Sequence, residues 1–351
     1  MTSAPGRRPD CSVVIPTYNG RHLLEVCLAS VFEHLPEDLD VEVIVVDDAS
    51  TDDTRSWVSQ RYPKVRLVVL ERNGGFVAAA NAGLSLAGGR FIQLLNNDTE
   101  VTAGWIETGL APFEDPRVGS VAPLVLVRSD PSRVDSAGDG YALIGWPFKR
   151  GHGEAAAEWT DRPTDVVFGA SGSSAFYRAS AIERVGGYDP AFGSYYEDVD
   201  LAFRLRWAGY SCVHQPRSVI LHEVSASYDH SRPELQRRMA RNSELLFWTN
   251  LPPLWMFVAF WPHLAFTLAQ CIARLIRGRL RPFLLGKLDA VRSIRMLATR
   301  RALRFDIARR GVARPHFPLR VNPMREVRNH RRRPLEASRL RTETPFRSSD
   351  R

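Results

Sequence analysis

Three groups of carboxylates in this chain sit where apolar runs end or a helical pattern begins. Leu94-Leu95-Asn96-Asn97-Asp98 leaves an apolar strand through a polar triplet, Asp47-Asp48 closes a β-branched run, and Glu197-Asp198 opens an amphipathic stretch. A carboxylate at the carboxyl edge of a buried sheet offers a hard oxygen ligand to a divalent cation, where open α/β folds hold phosphorylated ligands. Each group also has an ordinary structural use. Asn and Asp are turn residues, Asp48-Ala49-Ser50-Thr51-Asp52 can cap a helix, and acidic residues in a first turn suit the helix dipole. The first two groups share one sheet edge, and so face one crevice, if the strands before them are adjacent and parallel.

The elements that must position them follow a regular rhythm. Apolar runs at residues 12–15, 41–46, 65–70 and 91–95 alternate with helical patterns at residues 23–31, around Trp57 and Val58, and at residues 76–86. Near-continuous apolar strands separated by helices predict β-α-β-α-β-α-β, a parallel sheet covered on both faces with right-handed crossovers. Residues 128–165 are rich in Gly, Asp, Arg and Pro with few periodic apolar positions, and read as a long surface excursion or lid. Order returns at residues 166–177, followed by a short helix over 179–185 that ends at Gly186-Gly187. Residues 195–209 carry two apolar stripes, so that helix is buried, with Gly209 as its C-terminal cap.

The chain has 351 residues and 44% hydrophobic content, enough for one large domain with an appendage. Its four cysteines are far apart and unpaired by motif, which suggests neither a disulfide framework nor a zinc site and fits a reducing compartment. Residues 1–10 read as a disordered start with no apolar signal segment behind them. The net charge of +8 is unevenly placed: from Cys271 onward there are 23 Arg and Lys against 6 Asp and Glu, or +17, which leaves −9 before it. That split reads as an acidic body with a basic appendage for an anionic surface. Residues 254–272 are uncharged and rich in Trp and Phe but interrupted by Pro262, His263 and Gln270, which suits a helix pair lying in a membrane interface. Arg274, Arg277, Arg279 and Arg281 follow as a juxtamembrane cluster on the cytoplasmic face. The aromatics precede these arginines as a block and are not interleaved with them, so an anionic lipid surface is the expected partner and nucleic acid is not.

In order along the chain, Val14-Ile15-Pro16-Thr17-Tyr18-Asn19, Val45-Val46-Asp47-Asp48-Ala49-Ser50, Asn73-Gly74-Gly75-Phe76 with Asn81-Ala82-Gly83, Leu95-Asn96-Asn97-Asp98, and Tyr196-Glu197-Asp198-Val199-Asp200-Leu201 with Arg204 resemble the successive motifs of the family 2 glycosyltransferases. The likeness covers residues 11 to about 225. It implies a GT-A fold, a mixed, mostly parallel sheet flanked by helices, with a C-terminal helical membrane-associating extension. The implied organisation is a catalytic domain over 11–240, with nucleotide-binding and acceptor halves meeting at 100, a membrane-associating region over 241–310, and a basic disordered tail over 311–351.

By the same resemblance, Pro16, Thr17, Tyr18, Asp48, Asn73, Asn81 and Asn97 would hold the nucleotide. Asp48 would accept from the N3 proton of uracil or thymine. Asp98, helped by His222, would ligate Mg²⁺ or Mn²⁺ at the diphosphate. Asp198 would be the general base, its proton affinity raised by the like charge of Glu197, and one direct displacement would invert configuration. Asn96-Asn97-Asp98 has one carboxylate where the family commonly has two, and this asparagine form looks like the rhamnosyltransferase-like branch. The expected reaction moves a sugar, L-rhamnose from dTDP-rhamnose or else a sugar from a UDP donor, to a lipid-linked or cell-envelope glycan. The alternatives are a sugar-phosphate nucleotidyltransferase, whose glycine-rich opening with Arg is not found in Pro16-Thr17-Tyr18-Asn19, and an inactive membrane-associated scaffold.

Overall fold

The computed structural model describes residues 8–223 and 232–320. Four parallel-sheet strands come first: β1 (Cys11–Thr17), β2 (Val41–Asp47), β3 (Arg66–Val69) and β4 (Phe91–Leu95), connected by α1 (Arg21–Glu33), α2 (Thr54–Arg61) and α3 (Phe76–Leu86). β1 is the hub, parallel to β2 on one side and β4 on the other, with β3 beyond β2. Alternate residues of these strands serve opposite faces. Val14, Ile44, Val46, Ile92 and Leu94 pack beneath α3, and Val13, Ile15, Val43 and Val45 pack against α1. Thr17 lies opposite Asp47 in the β1–β2 register, so Tyr18 and Asp48 leave the sheet side by side.

The second half is antiparallel and mixed: β5 (Thr99–Val101), α4 (Trp105–Leu110), β6 (Val118–Val127), β7 (Asp130–Ser136), β8 (Asp139–Ala142), β9 (Trp146–Lys149), β10 (Asp165–Val167), β11 (Ser174–Arg178), α5 (Ala179–Val185), α6 (Glu197–Trp207) and β12 (Ser211–His222). The main sheet runs β10-β12-β6-β11-β4-β1-β2-β3, with β5 beside β12 and β7 beside β6. Residues 128–165 are therefore no loose excursion. They form β7 and the β8–β9 hairpin, in which Val134, Asp135, Ser136, Asp139, Tyr141 and Ala142 are buried. Burial of polar residues erased the apolar period that would have announced these strands.

The C-terminal part is α7 (Pro233–Asn250), α8 (Pro253–Ile276), α9 (Leu280–Arg292) and α10 (Ile294–Arg309). The expected boundary at 240 falls inside α7, and α10 is joined to the catalytic body. Arg304 of α10 reaches buried Asp200 of α6 at 2.8 Å, where Arg204 (2.7 Å) and Asn250 (2.8 Å) also meet it. The residue 254–272 segment is one continuous helix, not a pair, with Pro262 inside it. His263, read from sequence as an interruption, is an anchor: its ring stacks on Phe247 at 3.8 Å and bonds the Ile144 carbonyl at 2.8 Å. Only Ala259 and His263 of α8 are buried, and its length and composition are those of a helix able to cross a bilayer.

Both ends of the described chain are packed where disorder was expected. Pro9 O accepts from Arg90 N at 2.9 Å, and Arg320 exchanges backbone hydrogen bonds with Tyr141 and Leu143 at 2.9 Å each. Gly209 caps α6 at φ +83, and a Cβ there would lie 2.3 Å from the Ala313 carbonyl oxygen. The rest of the expected disordered ends, residues 1–7 and 321–351, lies outside the described residues.

Candidate active site

At the carboxyl end of β1, Pro16 and Thr17 are buried and Tyr18 is 48% exposed. Asn97 Nδ2 donates to Thr17 Oγ1 at 2.9 Å, closing the gap between the ends of β1 and β4. A side chain at Gly20 would strike Asn97 Nδ2 at 2.4 Å, so glycine is required for this approach. Asn19 and Ala49 both adopt left-handed backbone (φ 46 and 62) in the two adjoining loops. Such strain in non-glycine residues collects at functional sites. The two Asp48 carboxylate oxygens accept from Gly74 N and Gly75 N at 2.8 Å each, which ties the exposed Asn73 loop to the crevice. A carboxylate has about four acceptor positions, so Asp48 keeps capacity for a ligand. Asn81 is used differently from expectation. Its amide donates to Tyr188 O (2.8 Å) and its carbonyl oxygen accepts from Tyr188 N (2.7 Å), clamping α3 to the loop before α6.

β12 pairs antiparallel with β5 so that His222 is opposite Thr99, which brings the imidazole to Asp98. His222 Nε2 stands 3.4 Å from Asp98 Oδ1, and Nδ1 lies 3.0 Å from Asp135 Oδ2. Asp135 arrives through a register shift in the β6–β7 pairing, a bulge that re-aims its side chain. Lys149 Nζ donates to the same Asp135 oxygen at 2.8 Å. Burial opposes charge on His222, yet its hydrogen bond with Asp135 and the nearby carboxylate of Asp98 push its pKa up to about 9. Burial would raise Asp135, but Lys149 and His222 hold it well below the usual carboxylate range.

Asp98 Oδ1 is buried without a hydrogen-bond partner. That orphaned oxygen beside an imidazole nitrogen fits a divalent cation, with Asp98 and His222 as its two protein donors. Among the described residues no set of three or more His, Cys, Asp and Glu is arranged to hold a metal unaided. The remaining oxygen ligands would come from substrate phosphate and water.

The third wall begins at α6. Tyr195 and Tyr196 are both left-handed (φ 69 and 71), which turns the chain so that Glu197 and Asp198 occupy the first helical turn. Asn242 of α7 braces this entry by donating to the carbonyls of Phe192, Ser194 and Tyr195. Asp198 accepts from Gly172 N and Val199 N at 2.8 Å each.

Burial is the main influence raising Asp198, while the two amides and nearby Lys149 favour its charged form. The expected push from Glu197 is reversed. Burial first, and then the charge of Asp198, raise both Glu197 and Asp139 well above the carboxylate range. The three carboxyls influence one another, and Asp198 is the one that accepts from both the Gly172 and Val199 amides.

Asp98, His222, Asp135 and Lys149 thus form one run of neighbouring side chains, and the charge of Lys149 acts on Asp198. Asp135, Asp139 and Lys149 escaped sequence reasoning because each sits in a segment without an apolar period, and Asn242, on the amphipathic α7, because nothing local to it announces its contact with the loop before α6.

Residues 12–186 match the glycosyl transferase family 2 profile. An N-acetylglucosaminyl-diphospho-decaprenol L-rhamnosyltransferase of Mycobacterium tuberculosis is 32% identical over 241 residues, covering 61% of this chain and 76% of that one. The chain belongs to glycosyltransferase family 2. A second relative of this family 2 glycosyltransferase, the pre-mycofactocin glycosyltransferase of the same organism, is 30% identical over 63% of this chain and 44% of that one.

Among solved structures, a mannosyltransferase from Pyrobaculum calidifontis in complex with GDP-Man and Mn²⁺ superposes with a TM-score of 0.52 at 23% identity, covering 87% of each chain. GalNAc-T7 with UDP, GalNAc and Mn²⁺ gives a TM-score of 0.54 at 18% identity, covering 68% of this chain and 48% of that one, so the chain spans about half of it. The fold is GT-A, as the motifs implied.

Proposed function

We propose that this family 2 glycosyltransferase is an inverting, cation-dependent enzyme that transfers L-rhamnose from dTDP-rhamnose to a lipid-linked or cell-envelope glycan at the cytoplasmic membrane face. The observation that carries the reaction type is the run of side chains from Asp98 through His222 and Asp135 to Lys149, whose charge acts on the buried carboxyl of Asp198. Donor and acceptor rest on the relatives, one of which is named as a rhamnosyltransferase acting on a diphospho-decaprenol substrate.

In this reading Thr17, Tyr18, Asn73, Asp48 and Asn97 bind the nucleotide, and Asp98 and His222 hold Mg²⁺ or Mn²⁺. The cation, when bound, neutralises the departing diphosphate. Asp198 takes the acceptor hydroxyl proton as that oxygen bonds to the anomeric carbon, and the bond to the diphosphate breaks with its electron pair leaving on phosphate oxygen. Burial and the charge of Asp198 both favour the protonated forms of Glu197 and Asp139 beside it. The exposed apolar face of α8, with Phe257, Trp261, Leu268 and Ile276 outward, rests on lipid, and the arginines after it meet anionic headgroups.

The test is release of nucleoside diphosphate from a panel of nucleotide sugars with Mg²⁺ or Mn²⁺ and a lipid extract as acceptor. Release from dTDP-rhamnose above all others, abolished by chelator, is expected. Turnover indifferent to chelator removes the cation, and preference for a UDP-sugar removes the donor assignment.

A further inference from the structure

Beside the entry to α6 lies a small cavity of about 40 Å³ whose walls include Trp146 of β9, Tyr196, Ser243 of α7, and Gln270 and Arg274 of α8. A second recess, lined by Gln270, Ala273, Arg274, Arg277 and Arg279, adjoins it through the shared Gln270 and Arg274. α8 ends here in a reversal: Gly278 is left-handed (φ 66) and Arg279 N bonds back to Arg274 O at 2.8 Å. This turn gathers Arg274, Arg277 and Arg279 around one opening.

Four neighbouring cations are matched to carboxylates. Lys287 meets Glu244, Arg237 and Arg292 meet Asp289, and Arg300 meets Asp189. Arg274, Arg277 and Arg279 make no ion pair with any described residue. Arg274 is steered by the Phe283 ring, 4.6 Å below its guanidinium. Three guanidinium groups converging without an acid form an anion site suited to phosphate.

Two directions lead from it. Outward, Leu268, Ile272, Leu275 and Ile276 form a stripe at helical spacing, each at least 52% exposed. Inward, Tyr196 lies between the arginines and the catalytic wall. Burial pushes its phenol up to about 12, with Arg274 and Asp198 acting on it in opposite senses.

Resting on the glycosyltransferase reading, we propose that Arg274, Arg277 and Arg279 grip the diphosphate of a polyisoprenoid-linked acceptor. Its chain lies along Leu268, Ile272, Leu275 and Ile276, and its sugar reaches Asp198 past Tyr196. An anionic apolar stripe would suit no such ligand; a cationic opening joined to an apolar stripe and to the base suits one with a charged middle, an apolar tail and a hydroxylated head.

The experiment measures binding of geranylgeranyl diphosphate to the full chain by fluorescence. Excess dTDP and chelator are present, so that the donor crevice does not contribute. Geranylgeraniol, inorganic diphosphate and phosphatidylglycerol vesicles serve as the other probes. The Arg277→Gln/Arg279→Gln variant, at exposed positions, is expected to bind at least tenfold more weakly, and Arg277→Lys/Arg279→Lys to recover most of that loss. Geranylgeraniol and inorganic diphosphate should each bind far more weakly than the joined molecule.

Binding by the glutamine variant within twofold of the parent overturns the site. So does equal binding of geranylgeraniol or of inorganic diphosphate, and displacement of the probe by phosphatidylglycerol vesicles shows a general lipid surface instead. A melting curve for each variant establishes that it is folded. A chain that binds dTDP but no isoprenoid diphosphate keeps the glycosyltransferase reading and loses this one.

Discussion

Asp198, the proposed base, lies between opposing influences: burial favours its proton, and the amides of Gly172 and Val199 with Lys149 favour its charge. Asp198→Asn keeps the shape and removes the proton acceptor, so turnover at saturating donor should fall about 10²- to 10⁴-fold, while the donor KM stays close to the parent value. A loss smaller than tenfold in nucleoside diphosphate release removes Asp198 as base. Asp135 works one step back, by holding the His222 ring through Nδ1. Asp135→Asn should weaken Mn²⁺ binding to the dTDP-loaded protein by about 10- to 100-fold, measured by titration of free Mn²⁺ in electron paramagnetic resonance. Unchanged affinity would mean that the Asp135 contact does not orient a ligand. Asp139 is a different case, a buried carboxyl whose Oδ2 has no hydrogen-bond partner. Its pKa is raised by burial first and by Asp198 second. Its contribution to stability is therefore present below the unfolded-chain pKa and is lost as pH rises through the folded one. Asp139→Asn should raise the melting temperature at mildly alkaline pH by roughly 2 °C, with the gain vanishing in acid. A gain that is the same at both ends of the range would sink the argument.

Elements were legible where side-chain pattern and burial agree. β1, β2 and β4 are largely buried on both faces and β3 is a half-exposed edge strand, yet apolar runs marked all four to within about two residues, and Gly209 marked the end of α6. β7, β8 and β9 escaped for the opposite reason: Asp135, Ser136, Asp139 and Lys149 occupy strand positions without an apolar alternation, because their neighbours are other polar side chains of the site. The same cause hid the site residues they carry, whereas Asp98, Asp198 and His222 stood at the ends of readable runs. α8 was misread at Pro262-His263, since nothing local to the sequence announces that Glu244, nineteen residues earlier, receives the imidazole at 3.2 Å. That junction is testable. Burial would raise Glu244, but His263 and Lys287 bring its pKa down to about 2. A depressed carboxylate stabilises above its unfolded value, and the contribution is lost as pH falls through the folded one. Glu244→Gln should therefore lower the urea midpoint at neutral pH, and its difference from the parent should shrink as pH falls from about 4.5 to about 2. A difference that persists undiminished at the acid end would assign the loss to packing.

On the scale of the molecule, the acidic body and the basic C-terminal part are one folded unit, because Arg304 completes the buried Asp200 cluster from α10. Deleting everything after Leu251 would therefore expose an acid held by Arg304 and disrupt α6, the element that carries Asp198, so loss of membrane association in such a truncation would prove little. Point changes on the outward face of α8 separate the two effects. Phe257 and Trp261 are 81% and 73% exposed and touch no core cluster, so replacing both by Glu should leave the melting temperature nearly unchanged. If that face rests in a membrane interface, each substitution removes about 1.5 to 3 kcal/mol of apolar burial and sets a carboxylate against anionic headgroups. Phe257→Glu/Trp261→Glu should then move the protein from the sedimenting membrane fraction to the supernatant. High salt should release the parent only in part, because salt screens the arginines and not the apolar contact. Alkaline carbonate should release it fully if α8 lies in the interface and not at all if α8 spans the bilayer. A double variant that still sediments with membranes would show that α8 is not what holds the enzyme there, and would leave the arginine cluster as the remaining source of attachment.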